Sequence, residues 1–146
     1  FVSVIPDISR EQFKEIMENA VSLVEFSSGR FAQISGFTML YNPAGTPQVL
    51  DADGNVVTPG TRVQEIVLDG GTVIVTGGAV VPGADLTIAT IDFLARGGDQ
   101  YPYRGAPFTN IGFTYQQALA NYITDGLGGT ISAADYPEGG EGRITP

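Results

Sequence analysis

Cysteine and histidine are both absent from these 146 residues, and each absence removes a class of chemistry. Without cysteine there is no disulfide framework and no thiolate metal site, and the redox compartment is left open. Without histidine there is no imidazole base, no Ser/His/Asp or Cys/His nucleophile system, and none of the commonest zinc ligand. Oxygen ligands for Ca²⁺ or Mg²⁺ remain available, but a hydrolytic transition-metal pair is poorly served. Hydrolytic chemistry would have to be supplied from outside these residues. Positive charge is also scarce: seven Lys and Arg stand against sixteen Asp and Glu, for a formal charge of −9, and Lys14 is the only lysine. Such a surface repels polyanions, which argues against DNA, RNA or an anionic membrane as partner. A single nucleotide carries few charges and can be met locally by an Arg or by aromatic faces. No run approaches the ~18 apolar residues of a membrane span, and the chain opens on a strand-like FVSVI rather than a leader pattern.

What is present reads as one domain with its own core. Residues 1–5 alternate as a strand ending at Pro6. Ser9 with Gln12 forms a capping box, and Phe13, Ile16, Met17, Ala20, Val21 and Val24 recur at helical spacing, predicting an amphipathic helix over 10–23. Residues 30–42 alternate again, with Gly36 as a bulge glycine. Around a short strand at 48–50, Asp51-Ala52-Asp53-Gly54-Asn55 superficially resembles the start of a calcium loop. Arg62 stands where the twelfth-position acid would be, so the stretch is read as a hairpin turn. Residues 62–68 and 72–76 form a second hairpin across Asp69-Gly70-Gly71, and 77–82 are a connection. Thr114 with Gln117 caps a second helix ending near Gly126, and 128–146 read as a surface tail in which Arg143-Ile144 can return to the sheet.

The stretch with the densest chemistry is 91–101, IDFLARGGDQY. It follows an apolar run, LTIATI at 86–91, predicted as a strand buried on both faces. Gly97-Gly98 allows positive φ and close backbone approach. Read from the residues alone, Asp99 either caps its own turn, with Phe93 in the core, or is aimed back toward Phe93 at a ligand. Phe31, at a loop-to-strand edge, is either a core lid or a contact surface. Asp92 is read as structural.

IDFLARGGDQY resembles the signature of the C-terminal domain of the 5′-nucleotidase family, secreted or periplasmic metallophosphoesterases, in which the pattern runs (N/T)-(D/N)-F-L-A-x-G-G-D-G-(Y/F). GRFAQISG at 29–36 is similar to that family's GRFPQVSG, the helix over 10–21 resembles the one preceding it, and EGRI at 141–144 matches its closing motif. The four occur in the family's order. The resemblance implies an α+β domain, a twisted mixed, mainly antiparallel sheet with two helices. It implies that Phe31 and Phe93 sandwich a nucleobase, that Asp99 accepts hydrogen bonds from the ribose hydroxyls, and that Gly97 and Gly98 shape the backbone. The implied ligand is a nucleoside or nucleoside 5′-monophosphate. The implied partner is an N-terminal metallophosphatase domain of the same protein carrying a divalent metal pair, with no cofactor or catalytic residue in this segment and a location outside the cytoplasm. On this reading 1–146 is a single domain of a longer hydrolase, truncated at its N-terminal edge and inactive by itself. One position departs from the pattern: Gln100 stands where the family has Gly, and a side chain at positive φ is disfavoured. Arg10 and Arg30 are candidate phosphate ligands by charge, but neither is matched to the family's phosphate-binding arginines, and both are left out of the site. The alternative reading is a surface or adhesion module that keeps the fold without binding nucleotide.

Overall fold

The computed structural model describes residues 1–146. Helix α1 (Arg10–Ala20) begins where its capping box lies: the Ser9 hydroxyl accepts from the Gln12 amide at 3.1 Å. Its apolar stripe, Phe13, Ile16, Met17 and Ala20, is buried, and the Phe13 ring meets Phe37 edge-on at 5.2 Å. The helix stops three residues before the predicted end, and a tight 3₁₀ turn, Val24–Phe26, follows.

Strand β1 (Val2–Ile8) runs past Pro6 through an irregularity between Ile5 and Ile8. It lies between β8 (Leu86–Ile91) and β9 (Thr109–Asn110) in a three-stranded antiparallel sheet. The second sheet holds β2 (Phe37–Tyr41), β5 (Val63–Leu68), β6 (Val73–Thr76), β7 (Ala79–Val80) and β10 (Ile144–Thr145), in the order β10-β2-β5-β6-β7. Its one parallel pair is β10 on β2, so the closing EGRI motif does return to the sheet. A small hairpin, β3 (Val49–Leu50) with β4 (Val56–Thr58), closes over residues 51–55. There the Asp51 carboxylate accepts from the Asp53 and Asn55 amides, which makes the stretch a turn, as predicted. The mixed, mainly antiparallel character holds, distributed over three sheets rather than one.

Two predicted strands differ. Of 30–42 only Phe37–Tyr41 is extended with a ladder partner; Ala32 and Ile34 pack partly on the core, but the backbone around them is irregular. Apolar alternation therefore reported packing without a neighbour to hydrogen-bond. Strand β8 is half-buried rather than buried on both faces, because it pairs only with β1 and turns Thr87 and Ala89 outward. The predicted connection after residue 76 contains the short strand β7, turned back by Gly77-Gly78.

The helix is fixed to the second sheet by a buried carboxylate. Glu18, 1% exposed, accepts from the amides of Arg62 and Val63 at 3.1 and 3.0 Å and from Lys14 Nζ at 2.9 Å. Arg62, 2% exposed, donates to the Val21 carbonyl at 2.7 Å and pairs with Glu25. A Cβ on Gly60 would fall 2.3 Å from the Glu18 carboxylate, so glycine is required for the approach. Arg10 is similarly consumed by structure, donating to the carbonyls of Val73, Val81 and Ala84. Beyond Tyr103 no residue is buried. Helix α3 (Tyr115–Asn121) has the predicted cap at Thr114, continues as a wider helical turn over Tyr122–Gly126, and buries none of its residues.

Candidate functional site: two loops at the end of helix α1

The strand β8 gives way to a one-turn helix α2 (Asp92–Ala95). It ends at Gly97, whose φ of +89° is the left-handed cap that glycine supplies at low cost. Gly98 is needed for a different reason. A Cβ there would lie 2.5 Å from the Phe93 ring and 2.6 Å from its carbonyl, so the ring rests directly on the glycine. Phe93 is left 54% exposed. Asp99 and Gln100 then follow at φ +51° and +58°, both in the left-handed region. The side chain at the family's glycine position is therefore held in the disfavoured conformation; the backbone has not rearranged to avoid it.

The second loop carries Phe31. Its ring is half-buried and meets Tyr41 edge-on at 6.4 Å, and its amide donates to the Ser28 carbonyl. It lines an apolar cavity of about 960 Å³ with Ile34, Phe37, Leu86, Ile88 and Tyr103. Phe93 and Asp99 do not line that cavity, and the Phe31 and Phe93 rings make no aromatic contact with each other.

The loops are nevertheless bonded together. Tyr101 Oη donates to the Arg30 carbonyl at 2.8 Å, and Arg30 Nη2 donates to Gln100 Oε1 at 2.8 Å. Burial, with Tyr103 and Asp99 alongside, pushes the Tyr101 phenol well above its usual range, so it stays a neutral donor. Both loops also bond to the last turn of α1 and the residues after it. Asn19 Nδ2 donates to the Asp99 carbonyl at 3.2 Å, and Arg30 Nη1 donates to Ser22 Oγ at 3.1 Å.

Asp99 as the cap of its own turn with Phe93 in the core, the first of the two readings of the signature, does not hold. The Asp99 carboxylate is exposed and makes no hydrogen bond within the chain, so it does not cap its own turn. Phe93 is outside the core. Asp92 is bonded within its own turn: its Oδ1 accepts from the Phe93 amide at 3.1 Å. Sequence reasoning missed Asn19, Ser22, Arg30 and Gln100 as the parts that join the loops. The one legible hint was a pair of small polar residues, Asn19 and Ser22, interrupting the apolar stripe near the end of the helix. No group of three or more Asp and Glu side chains is gathered so as to hold a metal ion, so the residues present do not fit a divalent pair.

The fold is that of an α+β domain, and comparison with known proteins gives it a family. Residues 7–105 match the family model of the 5′-nucleotidase, C-terminal domain, and the chain belongs to that family. Among solved structures it is similar to the crystal structure of a 5′-nucleotidase precursor from Thermus thermophilus. The TM-score is 0.67 at 22% identity, over 99% of this chain and 25% of that chain. This chain thus spans about a quarter of that structure's length, and the likeness is one of fold. No curated protein matches the sequence.

Proposed function

We propose that the chain is the nucleotide-recognition domain of a 5′-nucleotidase-type phosphoric monoester hydrolase acting outside the cytoplasm. The observation that carries this reading is the state of the signature turn: Asp99 is exposed with no hydrogen bond from its carboxylate inside the chain, and the exposed Phe93 ring is propped on Gly98. A carboxylate is acceptor-only and can take two donors at once, which suits the 2′- and 3′-hydroxyls of a ribose. Charged hydrogen bonds of this kind contribute about 1.5–3 kcal/mol, so Asp99 favours ribose over 2′-deoxyribose. Phe31 and Phe93 bury the faces of a base, at roughly 1–3 kcal/mol per stacked base, with little regard for its identity. Gly97 and Gly98 supply the turn. Hydrolysis belongs to a separate N-terminal metallophosphatase domain holding a divalent metal pair, and this chain alone is inactive.

Adenosine and AMP titrated into the 146-residue chain, followed by amide shift mapping, test the reading. Half a site binds weakly, so millimolar ligand, roughly −4 kcal/mol, is the working range. The expected result is perturbation of Phe31, Phe93 and Asp99, lost in Phe93→Ala and Asp99→Ala. Ligand that leaves all three untouched at saturating concentration, with the fold intact, replaces this reading with that of a surface module.

A further inference from the structure

The apolar cavity of about 960 Å³ lies between two walls of backbone: residues 86–90 of β8 on one side, and residues 31–36, which have no ladder neighbour, on the other. Successive side chains of a strand point to opposite faces, so a space touched by consecutive residues of β8 runs along an edge of that strand, not under one face. No residue of β1 lines it, so the edge is the free one. The ladder shows what that edge presents. Val2 bonds to Ile111 and Phe113 on the β9 side, which turns its backbone groups, and by alternation those of Val4, away from β8. Ala89, the register partner of Val4, is therefore turned away from β1, and Thr87 follows by alternation. Both present N–H and C=O groups to the cavity. Across it, Ala32, Gln33 and Ser35 make no backbone hydrogen bond. The floor between the walls is apolar, with Phe13 and Met17 of α1. No charged side chain lines the space, in a chain of formal charge −9. Exposed edges are normally blunted by charge or proline, and LTIATI has neither.

We infer that this slot takes one extended, uncharged peptide strand of a partner protein, which pairs through its backbone with Thr87 and Ala89 on one side and with residues 32–35 on the other. Main-chain hydrogen bonds supply the affinity in such strand addition, and the apolar floor selects the side chains. A strand as long as β8, six residues, spans about 20 Å. An apolar small molecule would fill the space and leave both rows of backbone groups without partners. A charged ligand would find nothing there to offset its charge. The inference stands apart from nucleotide recognition, since neither Phe93 nor Asp99 lines the slot.

The test titrates a capped hexapeptide of alternating threonine and valine, acetyl-TVTVTV-amide, to about 1 mM into the isotope-labelled chain, followed by amide shifts and amide exchange. Shifts are expected at Thr87 and Ala89 and along residues 32–35, with slower exchange at Ala89. The same peptide N-methylated at its valines keeps the side chains and loses donors, and is expected to bind about tenfold more weakly. Ala89→Lys, which puts a charge on the open edge, weakens binding by about the same factor. Should that variant fail to fold, the two peptides on the wild-type chain still decide. Equal binding of the two peptides means apolar filling without strand pairing and overturns the inference. So do shifts missing from either wall, or peptide binding unchanged in a folded Ala89→Lys chain. A wild-type chain that sediments as a dimer, with the Ala89 amide already protected before peptide is added, gives the edge to a second copy and overturns it as well.

Discussion

The chain divides at about residue 105 into two regions that look alike in sequence and differ in structure. Both contain a helix with a Ser/Thr-x-x-Gln cap, and both caps form. Yet α1 buries Phe13, Ile16, Met17 and Ala20, while α3 leaves Tyr115 and Leu119 65% and 60% exposed. Every buried residue lies at or before Tyr103, and the family match ends at residue 105. A capping box and an apolar stripe establish that a helix forms; they do not say whether anything covers it. In α1 that cover is fixed by Glu18, Arg62 and the second sheet, contacts between residues more than forty positions apart.

The contrast can be broken most severely at Glu18. Glu18→Ala leaves the Arg62 and Val63 amides and the Lys14 ammonium without their acceptor in a buried place. A loss of about 3–5 kcal/mol is expected in urea unfolding, a large share of a typical domain's stability. Ile66→Ala, in the middle of β5 and fully buried, should cost about 2–5 kcal/mol by the same measurement; a cost under 1 kcal/mol would mean that the two sheets do not share one core.

Alkali sharpens the contrast. Burial pushes the Tyr103 phenol from 10.0 up to about 12. Its folded pKa lies above its unfolded one, so the protonated form is favoured by folding. The associated stability is fully present below pH 10 and is lost as pH rises through about 12. Unfolding followed across that window should show falling stability in wild type and a flatter profile in Tyr103→Phe. At the small end, Leu119→Ser on α3 should change stability by no more than about 0.5 kcal/mol. A change of about 2 kcal/mol or more, well outside the range for an uncovered surface position, would show that the second region is packed after all.

Much of the local geometry of the candidate site was legible because it lies in short stretches of sequence. The glycine pair, the carboxylate and the two phenylalanines are carried by short motifs whose backbone demands can be read residue by residue, and the helix start at Ser9 and the β5–β6 hairpin follow from the same kind of signal. What was not legible depends on distant partners. Residues 30–36 alternate like a strand but have no ladder neighbour. LTIATI is apolar enough for a buried strand but stands at the edge of its sheet. Gln100 looked like a defect in the motif, because its Arg30 partner lies seventy residues earlier.

The grip of one helical end on both loops also governs how they can come apart. Asn19 and Ser22 lie three positions apart, one holding the 97–101 turn and the other the 28–31 loop, and Ser22 is bonded back to Asn19. If that turn unwinds, neither loop keeps its hold on the helix. Amide exchange at Phe31 and at Gln100 should then share one opening free energy, a single cooperative unit spanning seventy residues of sequence.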